Sequence, residues 1–172
     1  GMKIYQMDPF PIKTSNEQFF FGIFYGIFLL LIFTNIFLYF SLKEKLYFYY
    51  VLYTFALGMY FFIFNGFAYA FFWTKSSYWN DIANPFFMTL TLLTAIRTSI
   101  HFLKIVEYST TIKDILDVLS LLTLLNLIFL FIFPYKFAFY YIYIILGPVA
   151  ITILVGAIIS LFRKNPMAKF FL

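Results

Sequence analysis

An arginine and an aspartate sit in apolar runs that leave little room for charge. Arg97 lies inside the run 82–103 and Asp117 inside the run 115–133. A charge within a membrane span usually faces a bundle interior or a wet cavity and has a partner. Arg97 lies two turns before Lys104, about 10 Å inside the end of its run at helical rise, so its alternative is to snorkel to the interface. If the two runs are antiparallel neighbours, Arg97 and Asp117 lie at matching depth and are expected to pair. Thr91, Thr94, Thr98 and His101 share a sector of about 120° with Arg97. Threonines in membrane helices often bond their own backbone, and the lone His101 reads as an interfacial residue rather than a ligand or proton relay. Other reactive groups are sparse. The chain has one His, no Cys and seven carboxylates, and the carboxylates fall mostly in loops or near run ends. No HExxH, GxSxG or phosphate-loop pattern occurs. Catalytic, metal and cofactor sites are not expected, and the chain does not read as an enzyme.

The elements that must carry these charges are apolar helices. Of 172 residues, 64% are hydrophobic and 11% charged, whereas a soluble domain carries about 25% charged residues. So few charges cannot coat a soluble surface, and lipid must cover much of it. The expected fold is all-α: an integral membrane helical bundle with five transmembrane helices, at about 19–40, 46–72, 82–103, 115–133 and 137–162. Each is near the roughly 20 residues that a bilayer core requires. Residues 1–18 read as a polar extracytoplasmic segment and 19–172 as the transmembrane domain. Ser41-Leu42-Lys43-Glu44-Lys45 forms a tight turn between the first two spans. Asp81 or Asn84 is a candidate cap for the third span, with Pro85 in its first turn. Thr111-Ile112-Lys113-Asp114 has the spacing of a capping box for the fourth.

Several positions have the marks of helix contacts. Gly22 and Gly26 form a GxxxG on one face of the first span, where a neighbour could approach closely; Asn35 points to the opposite side. Gly58, Phe62, Asn65 and Tyr69 share a face of the second span. Asn65-Gly66 signals a turn in a soluble protein, but unpaired backbone is costly in lipid, so the helix is expected to continue through it. Asp117, Ser120, Thr123 and Asn126 form a drifting polar stripe on the fourth span. Pro148 is expected to kink the fifth. Thr152, Gly156 and Ser160 make a stripe of small residues there.

Positive charges sort across the spans. Eight of the twelve (Lys43, Lys45, Arg97, Lys104, Lys113, Arg163, Lys164, Lys169) fall on one side, and Lys3, Lys13, Lys75 and Lys136 on the other. The richer side is expected to be cytoplasmic, which puts the N-terminus outside and the C-terminus inside. Net charge +5 therefore sets topology and does not point to nucleic acid. Gly1 ahead of Met2 reads as an added residue, and the apolar Phe170-Phe171-Leu172 as the start of a sixth helix.

The run YGIFLLLIFTNIFLYFSLKEKLYFYYVLYTFALGMYFFIFNGFAYAFFW, residues 25–73, resembles the membrane part of bacterial seven-transmembrane receptors with diverse intracellular signalling modules (7TMR-DISM). The likeness rests on Tyr25-Gly26 opening the first helix and Asn35 deep within it. It continues through the Ser41–Tyr50 turn and tyrosines, Asn65-Gly66 and Trp73. Arg97–Leu103 is similar to the family's third-helix end, with one basic residue where the family shows a pair, and Arg163–Leu172 is similar to the family's entry into the sixth helix. The resemblance implies a receptor domain, truncated after its fifth helix, in the bacterial cytoplasmic (inner) membrane. It would relay an extracytoplasmic signal to a cytoplasmic output such as a histidine kinase, diguanylate cyclase or phosphatase. Expected partners are the bilayer, that output and a second copy as a homodimer. The alternative is a small-molecule transporter or channel subunit. No inverted repeat favours it.

Overall fold

A computed structural model describes residues 10–72, 76–133 and 135–162. All regular structure in the described residues is helical. The order is α1 (Phe10–Leu42), α2 (Lys45–Phe64), α3 (Phe67–Phe71), α4 (Ser77–Phe102), α5 (Ile105–Tyr108), α6 (Thr110–Ile132) and α7 (Tyr135–Phe162). An apolar chain in lipid must satisfy each backbone group from within, and the helix does so locally. Readings that concern residues 1–9, 73–75, 134 and 163–172, Trp73 and the C-terminal basic residues among them, lie outside the described residues.

Among the described residues, four helices are long and apolar enough to cross a membrane: Phe19–Leu42 within α1, Lys45–Phe64, Thr110–Ile132 and Lys136–Phe162. The distribution of side chains points the same way. Thr54, Thr89, Thr94, Thr98, Ser120, Thr123, Asn126 and Ser160 are buried, while Phe20, Phe33, Phe37, Phe40, Ile144 and Phe162 are at least two-thirds exposed. Polar groups inside and large apolar groups outside is the arrangement expected where the surrounding medium is lipid. The long helix α4 does not meet the same hydropathy criterion. It packs against α2, α6 and α7, so its polar side chains have protein neighbours and its sequence is under less pressure to be apolar. The core lies between α4 and α7, around Ile96, Leu103, Ile105, Leu116, Ile142 and Val149. α1 packs on α2 through aromatic pairs such as Phe24–Phe61 and Tyr25–Phe62.

The helix ends correct several sequence expectations. The α1–α2 turn needs only two residues. Lys43 takes a left-handed φ of 55°, its N–H bonds Tyr39 O at 2.8 Å, and Glu44 is the extended N-cap of α2. The second span does not continue through Asn65-Gly66. α2 stops at Phe64, Gly66 takes φ 78°, and α3 follows. Twenty residues already suffice for a bilayer core. The break also leaves the turn donors paired, Asn65 N–H to Phe61 O and Gly66 N–H to Ile63 O. Gly66→Ala is therefore expected to cost about 1 kcal/mol, because a Cβ is strained at that φ. A lowered thermal midpoint in detergent, with Gly66→Asn milder, is the check.

α4 is capped by Ser76, whose Oγ accepts from Trp79 N at 3.3 Å, and not by Asp81 or Asn84. Pro85 lies inside the helix and not in its first turn. α6 is capped by Ser109, which accepts from Ile112 N at 3.3 Å, and not by Thr111. The reason is the chain path: Lys104 turns left-handed, α5 makes one turn, and extended Ser109 is the residue that leads into the helix. Lys113 thereby moves from an expected loop into the first turn of α6.

Candidate functional site

Arg97 and Asp117 meet where the C-terminal half of α4 faces the N-terminal half of α6. Helical spacing puts Lys113, Asp117 and Ser120 on one face of α6. The Asp117 carboxylate accepts from two cations, one on each oxygen. Arg97 Nη1 lies 3.0 Å from Oδ1 and Lys113 Nζ lies 2.8 Å from Oδ2. Arg97 Nη2 donates to Ser120 Oγ at 3.1 Å, and that hydroxyl donates onward to Asp117 O at 2.8 Å. Lys113 also comes within 3.8 Å of Asp114. Arg97 and Lys113 are thus balanced by Asp117 and Asp114, so the junction is polar and close to neutral.

The junction closes one end of a groove of about 710 Å³ between α2, α4 and α6. Tyr49, Leu52, Leu90, Leu93, Leu121 and Leu124 contribute its walls, and Arg97, Asp117, Ser120 and Thr94 its polar part. His101 does not enter the junction as a ligand. Its ring stacks on Tyr49 with centroids 4.7 Å apart and planes 12° apart. Among the described residues no three His, Asp or Glu side chains come together as a metal-holding group. Thr91, Thr94 and Thr98 bond backbone carbonyls of their own helix at 2.7–2.8 Å.

The other candidate residues separate into contacts and surfaces. Gly58 is a close approach: a Cβ there would meet the Phe28 ring at 3.1 Å. Asn65 Nδ2 donates to Tyr25 Oη at 3.0 Å, tying the end of α2 to α1. Gly156 is buried, and a Cβ would lie 3.2 Å from Ile105 Cδ1 and 3.4 Å from Ile112 Cγ2. Asn35 is half-buried and donates to Leu31 O of its own helix at 2.8 Å. Gly22 and Gly26 make no close approach: both are exposed and nothing lies within 4 Å of a Cβ at either. α1 meets α2 through aromatic rings instead. Pro148 is exposed on α7, which remains helical through it, and its carbonyl accepts from Thr152 Oγ1 at 2.8 Å.

Two interhelical ties follow from no spacing rule. Asn126 reads from the sequence as part of a stripe, but not as a bridge. Its Nδ2 donates to Thr89 Oγ1 of α4 at 2.9 Å and to Ala138 O of α7 at 3.3 Å. Thr89 and Asn126 are 37 positions apart, and no spacing rule links residues on different helices. Ser160 similarly reaches Leu103 O at 3.0 Å, tying α7 to the end of α4.

An all-helical fold, lipid-type surface and interior polar junctions define a multi-pass membrane protein embedded in a bilayer. Residues 17–172 match the family described as 7TM diverse intracellular signalling. The chain belongs to that 7TMR-DISM transmembrane family, a class of transmembrane sensory and signalling receptor domains. No curated protein and no solved structure matches the chain.

Proposed function

We propose that this domain relays an extracytoplasmic signal to a cytoplasmic output by shifting α4 against α6 between two packings. The observation that carries the reading is the Arg97–Asp117–Lys113 junction. A carboxylate shared by cations from two helices offers alternative pairings at similar energy, which a small helix displacement can exchange. In this reading α4 is a fifth span, the N-terminus is outside, and the junction lies near the cytoplasmic face of a bacterial inner membrane, as the excess of positive charge on that side supports. A cytoplasmic signalling module receives the shift, and a homodimer is the expected assembly. The reading assigns no reaction to the chain itself.

The test joins the domain to its cytoplasmic output and compares output activity in wild type, Arg97→Gln and Asp117→Asn. A change of about 1–2 kcal/mol moves a two-state ratio roughly 5–30-fold, so basal output should shift by several-fold in both variants. Unchanged output in both, with normal membrane insertion, overturns the proposal.

A further inference from the structure

We propose that the groove between α2, α4 and α6 seats one acyl chain of an anionic phospholipid, with the lipid phosphate on Arg97. The inference begins with hydrogen-bonding capacity. Arg97 lines the groove and its side chain is 43% exposed, so a molecule in the groove can reach it. A guanidinium carries more N–H donors than Arg97 engages on Asp117 and Ser120. The other polar groups at that end are occupied. Both Asp117 oxygens accept from cations, and the Ser120 and Thr94 hydroxyls donate to backbone carbonyls. What the polar end still offers is donors on a positioned cation. These suit an oxyanion, and guanidinium–phosphate contacts are short, charge-assisted and often bidentate.

The charge at this end agrees. Lys104 pairs with Glu107, and Arg97 and Lys113 are balanced by Asp117 and Asp114. Lys43 and Lys45, at the turn into α2, have only Glu44 between them, so this end keeps one surplus positive charge among the described residues. One monoanionic headgroup neutralises it, and basic pockets between membrane helices are a recurrent seat for acidic headgroups. The walls define the other half of the ligand. From Arg97 the groove runs past Leu93 to Leu90 on α4, and from Asp117 past Leu121 to Leu124 on α6. The two helices are antiparallel, since Arg97 meets Asp117 and Thr89 meets Asn126, so both paths lead the same way. Each path, 97 to 90 and 117 to 124, covers about 10 Å of helix. Leu52, Leu121 and Leu124 are 37–57% exposed, so the groove opens sideways, where bilayer lipid lies. A helix from a second copy could cover the leucines, but its carbonyls are bonded within itself and bring Arg97 no anion.

Binding stands on the groove alone, and its consequence rests on the receptor reading. A phosphate on Arg97 competes with Asp117 for the same guanidinium. The lipid therefore biases the pairing between α4 and α6, the pairing through which the domain is read to signal.

The test titrates the full chain, in a neutral detergent, with phosphatidylglycerol and with phosphatidylcholine of the same chains, and counts bound lipid by native mass spectrometry. One phosphatidylglycerol should be retained saturably. Phosphatidylcholine should be held about fivefold more weakly, because its ammonium faces the same cations. Arg97→Gln should weaken phosphatidylglycerol about tenfold, the worth of a charge-assisted hydrogen bond. Lys136→Gln, at the start of α7 and the other end of the bundle, should change neither lipid. Leu121→Trp fills the groove and leaves the charges in place. It should weaken both lipids alike, and it keeps the test open if Arg97→Gln fails to fold. Glycerol phosphate, which has the anion and no chain, should not displace the lipid. Equal retention of the two lipids by wild type, wild-type retention by Arg97→Gln or by Leu121→Trp, or displacement by glycerol phosphate overturns the proposal. The titration needs no output module. Lipid selectivity without any effect on output counts against the receptor reading alone, and an output that responds to Arg97→Gln without lipid selectivity counts against this site alone.

Discussion

Asn126→Asp is expected to destabilise the bundle by about 2.5–3.5 kcal/mol, the cost of an acidic side chain near the middle of a membrane helix. The surroundings explain why little of that cost is recovered. Asn126 faces Thr89 Oγ1, whose proton is committed to Pro85 O, and the Ala138 carbonyl. Both present lone pairs, so a carboxylate would meet acceptors where the amide now donates. Asn126→Leu should behave differently. It forfeits two interhelical bonds, worth about 0.6 kcal/mol each on average in membranes, but also removes the unpaired Oδ1. Its stability should fall within about 1 kcal/mol of wild type. Unfolding in mixed detergent, followed by helix content, separates the two. Equal losses for Asp and Leu would show that Asn126 contributes volume alone.

The second large effect concerns the ion junction. Asp117→Arg removes the carboxylate that Arg97 and Lys113 share and sets a third cation beside them. The Arg97–Asp117 contact is worth about 1–2 kcal/mol once discounted for side chains that are 43% and 35% exposed. Like charges at such spacing cost about as much as opposite charges gain, so the loss should be roughly twice that. The thermal midpoint should then fall by about 4–16 °C, at 2–4 °C per kcal/mol for a chain of this size. The exchange Arg97→Asp with Asp117→Arg should recover part of it. Recovery is incomplete because Lys113, one turn before position 117, then faces a cation. A double variant no better than Asp117→Arg would remove Arg97–Asp117 as the contact that joins α4 to α6.

These two sites differ in how far the sequence discloses them. Arg97 and Asp117 are conspicuous because a charge in an apolar run demands a partner, and few candidates exist. Lys113 was harder to place, because its role depends on Ser109 capping α6 and that depends on the left-handed turn at Lys104. Asn126 was harder again. Many membrane helices carry a polar stripe, and only the approach of Thr89 and Ala138 turns this one into a bridge. The GxxxG shows the converse: Gly22 and Gly26 have the right spacing, but the helix that meets α1 does so through aromatic rings.

The amino-acid sequence by itself determined that the chain is helical, its lipid surroundings, a tight turn within Ser41–Lys45 and the family. These follow from local demands: each apolar stretch must bond its own backbone, and each short polar interval must turn. Tertiary structure decided the rest. It placed the break at Asn65-Gly66, the interior position of α4, the shared carboxylate of Asp117 and the orphaned oxygen of Asn126. Those depend on which faces meet, and that choice is made by side chains far apart in the chain whose packing no local periodicity records.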